Sequence, residues 1–123
     1  MKILVDTHIL LWHLTDDPRL NVENSQTIEN PLYQKYFSIA SLWEIAIKTS
    51  TGKLKISEPI DKIIPSDFVI LNLEIEHLKQ IQILPYHHRD PFDRAIIAQA
   101  ISENFTVMTD DSNFKLYENL KII

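Results

Sequence analysis

Four carboxylates carry most of the chemical weight in this sequence: Asp6, Glu44, Asp93 and Asp111. Each has an ordinary structural explanation. Ser41 and Glu44 stand at the spacing of a capping box, Asp90 and Asp93 suit a helix start where the dipole favours anions, and Asp111 can cap a short terminal helix. A cap contributes only about 0.5–2 kcal/mol, so any one of them taken alone can be structural. Brought together they are harder to explain, because converging carboxylates repel one another and resist desolvation unless a cation neutralises them. Oxygen-only donors in a chain without cysteine suit a hard divalent ion, Mg²⁺ or Mn²⁺, which keeps coordinated waters and bridges to phosphate oxygens. That is the chemistry of phosphodiester hydrolysis.

Whether the acids meet depends on the elements that carry them. Lys2 to Val5 is a short apolar run of strand type, and Thr7 to Leu14 has the density of a buried helix with Thr7 at its cap. Asp16 to Glu29 reads as a mostly exposed helix, with Pro18 in its first turn and a weak stripe of Leu20, Val22 and Ile28. After a second strand at Lys35 to Ser38, the residues Ile39, Leu42, Trp43, Ala46 and Ile47 keep the spacing of an amphipathic helix. Gly52, the only glycine, stands where a left-handed cap would end it.

Pro59 to Ile64 is a short helix stopped by Pro65, and Phe68 to Leu71 is a third strand. Glu74 to Leu84 reads as a helix that turns Ile75, Leu78 and Ile81 inward. Asp90 can cap a further helix with Pro91 at its first position and Phe92, Ala95, Ile96 and Ala100 toward a core. Thr106 to Met108 is a fourth strand, Asp111 to Tyr117 a last short helix, and Ile122 and Ile123 can pair as a terminal strand.

Alternating strands and helices imply an α/β protein, a three-layer α/β/α sandwich around a central, mainly parallel sheet of four to five strands with right-handed crossovers. Ligands of such sheets bind beyond the carboxyl ends of the strands. Asp6 directly follows the first strand, Glu44 lies in the first turns after the second, and Asp111 comes just after the fourth. Asp93 lies in the first turn of a separate helix.

A chain of 123 residues supports one compact domain, here residues 1–123, and its 45% hydrophobic and 24% charged content are globular averages. An acid interrupts the N-terminal apolar run after Val5, unlike a signal peptide or the roughly 20 apolar residues of a membrane span, so a cytoplasmic protein with no membrane association is expected. The net charge of −5 argues against a general nucleic-acid coat. It leaves a nuclease open, because bound cations reverse the local field that a phosphate meets.

Around the acids, Thr7 and Asp90 are candidate supporting residues. Lys48, Lys53 and Lys55 form a basic cluster able either to face solvent or to reach RNA phosphates, and Arg94 can orient carboxylates or clamp phosphate. His8, His87 and His88 read as residues packed or looped near the site rather than as ligands, and Trp12, Trp43 and Phe92 as core.

The segments VDTHILLW, SIASLWEIAIK followed by GKL, HRDPFDRAIIAQA and MTDDSNF resemble, in order and nearly end to end, the acidic motifs of PIN-domain proteins of the VapC toxin type. The resemblance implies a metal-binding quartet of Asp6, Glu44, Asp93 and Asp111, with Thr109 as the hydroxyl residue before the last acid. Asp111 is preferred to Asp110 because Phe114 stands three residues on, and Asp93 to Asp90 because RAIIAQA follows. It further implies an endoribonuclease leaving 5′-phosphate and 3′-hydroxyl ends, a homodimer, and a cognate antitoxin.

The rivals are a PIN-like scaffold that binds metal or RNA without cutting, and a phosphoacceptor signalling module. The second lacks its acidic pair, since Val5 and Thr7 flank Asp6. A phosphatase using a second aspartate two residues on meets His8 instead, and the single glycine disfavours a Gly-rich nucleotide loop.

Overall fold

Five strands hydrogen-bond in parallel in the order β3-β2-β1-β4-β5 in this structure, a computed structural model that describes residues 1–123. The strands are β1 (Lys2–Val5), β2 (Gln34–Ser38), β3 (Phe68–Leu71), β4 (Thr106–Met108) and β5 (Lys121–Ile122). The helices are α1 (Thr7–Leu14), α2 (Val22–Glu29), α3 (Ile39–Ser50), α4 (Ile75–Ile83) and α5 (Pro91–Glu103), with 3₁₀ turns at Ile60–Lys62 and Ser112–Leu116. The three-layer α/β/α sandwich expected from the sequence is the observed architecture. No helix is long and apolar enough to cross a membrane.

Period-2 alternation on the strands divides the core. Ile3, Val5, Phe37 and Met108 pack on one face of the sheet with Ile9 and Leu10 of α1, Ile28 of α2 and Ile45 of α3. Leu4 and Val107 pack on the other with Leu84, Ile96, Ile97, Ala100 and Phe114. Central strands covered on both sides read as continuous apolar runs, as ILV does in β1.

Several local expectations are corrected. The second helix begins only at Val22, because Asn21 caps it by accepting from Asn24 N, and Pro18 lies in the preceding turn. Asp6 rather than Thr7 caps α1. Helix α3 buries Ala40, Ser41, Glu44 and Ile45, so of the stripe Ile39, Leu42, Trp43, Ala46 and Ile47 only Leu42 packs partly on the core, while Trp43, Ala46 and Ile47 are exposed, Trp43 at 58%. Helix α4 likewise turns His77 inward, leaving Ile75 and Leu78 exposed at 72% and 52%. The cause is polar: His77 accepts from Glu74 N through Nδ1 at 3.0 Å and contacts Glu103 through Nε2 at 2.8 Å, which fixes the rotation of α4 on α5.

Two buried polar ties set α3 and α5 relative to the sheet. Ser38 Oγ accepts from Ala40 N to cap α3 and donates to Gln99 Oε1 of α5 at 2.6 Å. The Gln99 amide donates in turn to the carbonyls of Leu71 and Asn72, where the chain leaves β3. Glu44 and Asp93 therefore ride on helices joined across the carboxyl end of the sheet.

Candidate metal centre

With β1 between β2 and β4, the chain leaving β1 and the chain leaving β4 diverge into a crevice at the carboxyl edge of the sheet. Asp6 is the first residue beyond β1. Its Oδ1 accepts from Thr7 N at 2.7 Å and its Oδ2 from the Thr109 hydroxyl at 2.8 Å. The same hydroxyl accepts from Asp111 N at 3.0 Å, so Thr109 links the acids that follow the two central strands. Thr7 donates through Oγ1 to Ser41 Oγ at 2.7 Å, which fastens the start of α1 to the buried face of α3 one turn before Glu44.

The remaining acids are held by other partners. Glu44, nearly fully buried, accepts from Lys48 Nζ at 2.8 Å. Asp93 lies 3.3 Å from His88 Nε2 through its Oδ2. Asp111 accepts from Asn113 N as the cap of the last 3₁₀ turn. Asp90 is the cap of α5, accepting from Phe92 N and Asp93 N, with Pro91 following it as the sequence implied.

The acids also act on one another electrostatically. Burial pushes the Asp6 carboxyl above its ordinary value; hydrogen bonds from Thr109 and Thr7 and the neighbouring His8 pull it down, while Glu44 pushes it up. Asp93 is pushed up to about 8, first by burial and then by repulsion from Asp90, Asp6, Asp111 and Glu44. Asp93 thus feels the other three acids of the quartet at once. In this side-chain arrangement no three His, Asp or Glu groups stand close enough to hold one ion. Glu44, Asp111 and Asp93 each have one oxygen engaged, by Lys48, Asn113 N and His88 respectively. The donor set itself fits a divalent ion: acidic oxygens, partly desolvated, in which one carboxylate is disfavoured as an anion until positive charge arrives.

Other candidates fall differently. Arg94 does not reach a phosphate path: it is 5% exposed, and its guanidinium donates to the carbonyls of Pro85 and Leu84 and to Tyr117 Oη. Lys48 is engaged with Glu44 rather than free for RNA. Lys53 and Lys55 make no ion pair and line, with Thr7, His8 and Lys48, a cleft of about 380 Å³ beside the site. His87 packs edge-on against Tyr117. Trp43 is surface rather than core and meets Phe92 edge-on at 5.2 Å. Sequence reasoning passed over Ser38, Gln99 and Tyr117 and took Ser41 only as a capping-box partner of Glu44, whereas Ser38 is the cap of α3. A serine or glutamine on an otherwise apolar helix face was the available signal for Ser41 and Gln99, since a buried polar side chain needs a partner.

The fold and the carboxylate edge together define the class: the PIN domain model matches residues 3–120, and the chain belongs to the PIN-domain family. Among solved structures it is similar to a chain of VapBC2 from Rickettsia felis bound to a promoter DNA fragment, with TM-score 0.75, 20% identity, and 100% of this chain and 98% of the other covered. DNA-bound VapBC from Salmonella typhimurium gives TM-score 0.75 at 17% identity, covering 100% and 97%. A toxin–antitoxin complex from Klebsiella pneumoniae gives 0.69 at 21%, covering 98% and 95%. At these identities the likeness is one of fold. No curated protein matches the chain.

Proposed function

We propose that residues 1–123 form a single PIN domain acting as a Mg²⁺- or Mn²⁺-dependent endoribonuclease, the toxin of a toxin–antitoxin pair, with Asp6, Glu44, Asp93 and Asp111 as its metal ligands. One observation carries the reading: at the carboxyl edge of the sheet Asp93 is pushed up to about 8 by burial and by four other carboxylates, three of them the remaining members of the quartet. A purely structural cap gains nothing from such company, whereas a cation site requires it.

A bound divalent ion would supply Lewis acidity toward the phosphate and an acidified water as nucleophile. The chain's own part is positioning. Thr109 and Thr7 N–H hold both oxygens of Asp6, the Thr7–Ser41 contact keeps α3 and therefore Glu44 at the crevice, and Asp90 fixes the first turn of α5 that carries Asp93. Lys48 pairs with Glu44, and Lys53 and Lys55 supply positive charge along the adjoining cleft where an RNA backbone would run.

Two surfaces support a reading of the partners. The outward stripe of α3, with Ile60, Ile64 and Ile70, makes an open apolar face beside the edge strand β3, and we assign the homodimer contact to it. On α1 and α2, by contrast, Leu10 and Ile28 are buried in the core. The antitoxin is assigned to the cleft beside the acids, where an arginine or lysine of a helix or extended arm can pair with them. The relatives of like fold include chains from VapBC and toxin–antitoxin complexes. A gel assay on structured RNA tests the activity: the parent chain cleaves with Mg²⁺ or Mn²⁺, and Asp6→Asn or Asp93→Asn does not. A fully active Asp93→Asn protein removes the site assignment.

A further inference from the structure

Behind Asp93 runs a line of side chains that the proposed chemistry leaves unused. Arg94 Nη1 lies 3.3 Å from Tyr117 Oη, Tyr117 Oη lies 2.8 Å from His88 Nδ1, and His88 Nε2 lies 3.3 Å from Asp93 Oδ2. The four come from three places: the loop before α5 carries His88, the first turn of α5 carries Asp93 and Arg94, and Tyr117 ends the last 3₁₀ turn. Arg94 and Tyr117 are buried, and the guanidinium is further fixed by the Pro85 and Leu84 carbonyls and by the Tyr86 ring, 4.1 Å from its centroid.

The direction of this line follows from the donor inventory. A guanidinium has only donors, so the Tyr117 oxygen accepts from Arg94. A carboxylate has only acceptors, so toward ionised Asp93 the His88 Nε2 must donate. An imidazole with its one proton on Nε2 presents a lone pair at Nδ1, and the phenol proton of Tyr117 fills it. Every donor then points toward Asp93, starting from a permanent positive charge. Oδ1 of Asp93 makes no hydrogen bond within the chain, while Oδ2 is engaged.

We propose that His88 is a positioning residue that holds Asp93 through Oδ2 and leaves Oδ1 to a divalent cation, its own orientation and tautomer being set by Tyr117 and Arg94. This rests on reading Asp93 as a metal ligand. Carboxylates that bind metals are themselves hydrogen-bonded, and loss of such a support costs about 10–100-fold in metal affinity.

A purely packing role is distinguishable, because the His88 ring also meets Tyr117 and Phe114 at centroid distances of 5.5 and 6.3 Å. His88→Phe keeps the ring and loses the donor; His88→Gln keeps an N–H near Nε2 and loses the ring. Mn²⁺ affinity of the full chain, by calorimetry at fixed pH, should fall about 10–100-fold in His88→Phe and recover largely in His88→Gln. Parent-like Mn²⁺ affinity in His88→Phe, with Asp93→Asn impaired, overturns the proposal and leaves the site reading standing. Parent-like affinity in Asp93→Asn overturns the site reading and this proposal with it. Independently of any variant's folding, ¹⁵N-histidine spectra of the Mg²⁺-saturated parent chain should show His88 protonated at Nε2 and bare at Nδ1. A proton on Nδ1 overturns the assignment.

Discussion

In EDTA at about pH 9, where carboxylates are normally ionised, Asp93→Asn should make the protein more stable than the parent chain, an unusual sign for a substitution in a cleft. The Asp93 carboxyl is pushed up to about 8 from its ordinary 3.8. At roughly 1.4 kcal/mol per pH unit, that gap sets a ceiling of about 5–6 kcal/mol on the cost of ionising it in the folded state. The crevice opens to solvent, and screening reduces a realistic figure to about 2–3 kcal/mol. Because the folded value is raised, the protein holds this stability in full below about pH 4 and loses it as pH rises through about 8. Asparagine has nothing to lose, so its advantage should grow from near zero at about pH 4 to about 2–3 kcal/mol at about pH 9, about 8–12 °C in Tm for a domain of this size. His88 can still donate to the asparagine carbonyl, which keeps the local contact. Thermal unfolding by circular dichroism across that pH range measures the difference. A pH-independent difference, or an asparagine variant less stable at alkaline pH, would refute the view that the acids repel one another there.

Three further outcomes follow from the same geometry. Thr109→Val leaves the buried Asp6 Oδ2 without its donor and should cost about 1–3 kcal/mol, read by urea unfolding, and weaken Mn²⁺ binding. Mn²⁺ affinity should rise with pH up to about 8, because binding must displace the proton that Asp93 retains below that point; calorimetry in two buffers of different ionisation heat would show the proton release. Trp43→Glu places a charge on the outward apolar stripe of α3 and should convert a dimer to a monomer by light scattering while leaving RNA cleavage per chain within a few-fold.

The order of elements was legible in the sequence because short apolar runs alternate with helical spacing, and Phe68–Leu71 was located to the residue. Helix rotation was not. In α3 and α4 much of the apolar stripe points outward, because Ser41, Glu44 and His77 face the interior and Ser41 and His77 are held there by buried hydrogen bonds that a hydrophobic period cannot register. Position along the chain placed Asp6, Glu44 and Asp111 near strand ends, and topology makes β1 and β4, which Asp6 and Asp111 follow, neighbours, while Asp93 feels the charge of all three. Arg94 defeated a reading based on charge alone. Its burial among carbonyls and the partnership of His88 with Tyr117 depend on contacts 29 or fewer residues apart that no spacing rule connects.

Metal dependence of RNA cleavage tests the central claim most directly. The purified chain, incubated with a structured RNA pool, should cut with Mg²⁺ or Mn²⁺ and stop with EDTA. Ca²⁺, whose larger and looser shell positions water poorly, should inhibit rather than substitute. The cut ends should carry 5′-phosphate and 3′-hydroxyl groups. Cleavage that persists in EDTA and is undiminished in Asp6→Asn and Asp93→Asn would contradict the account.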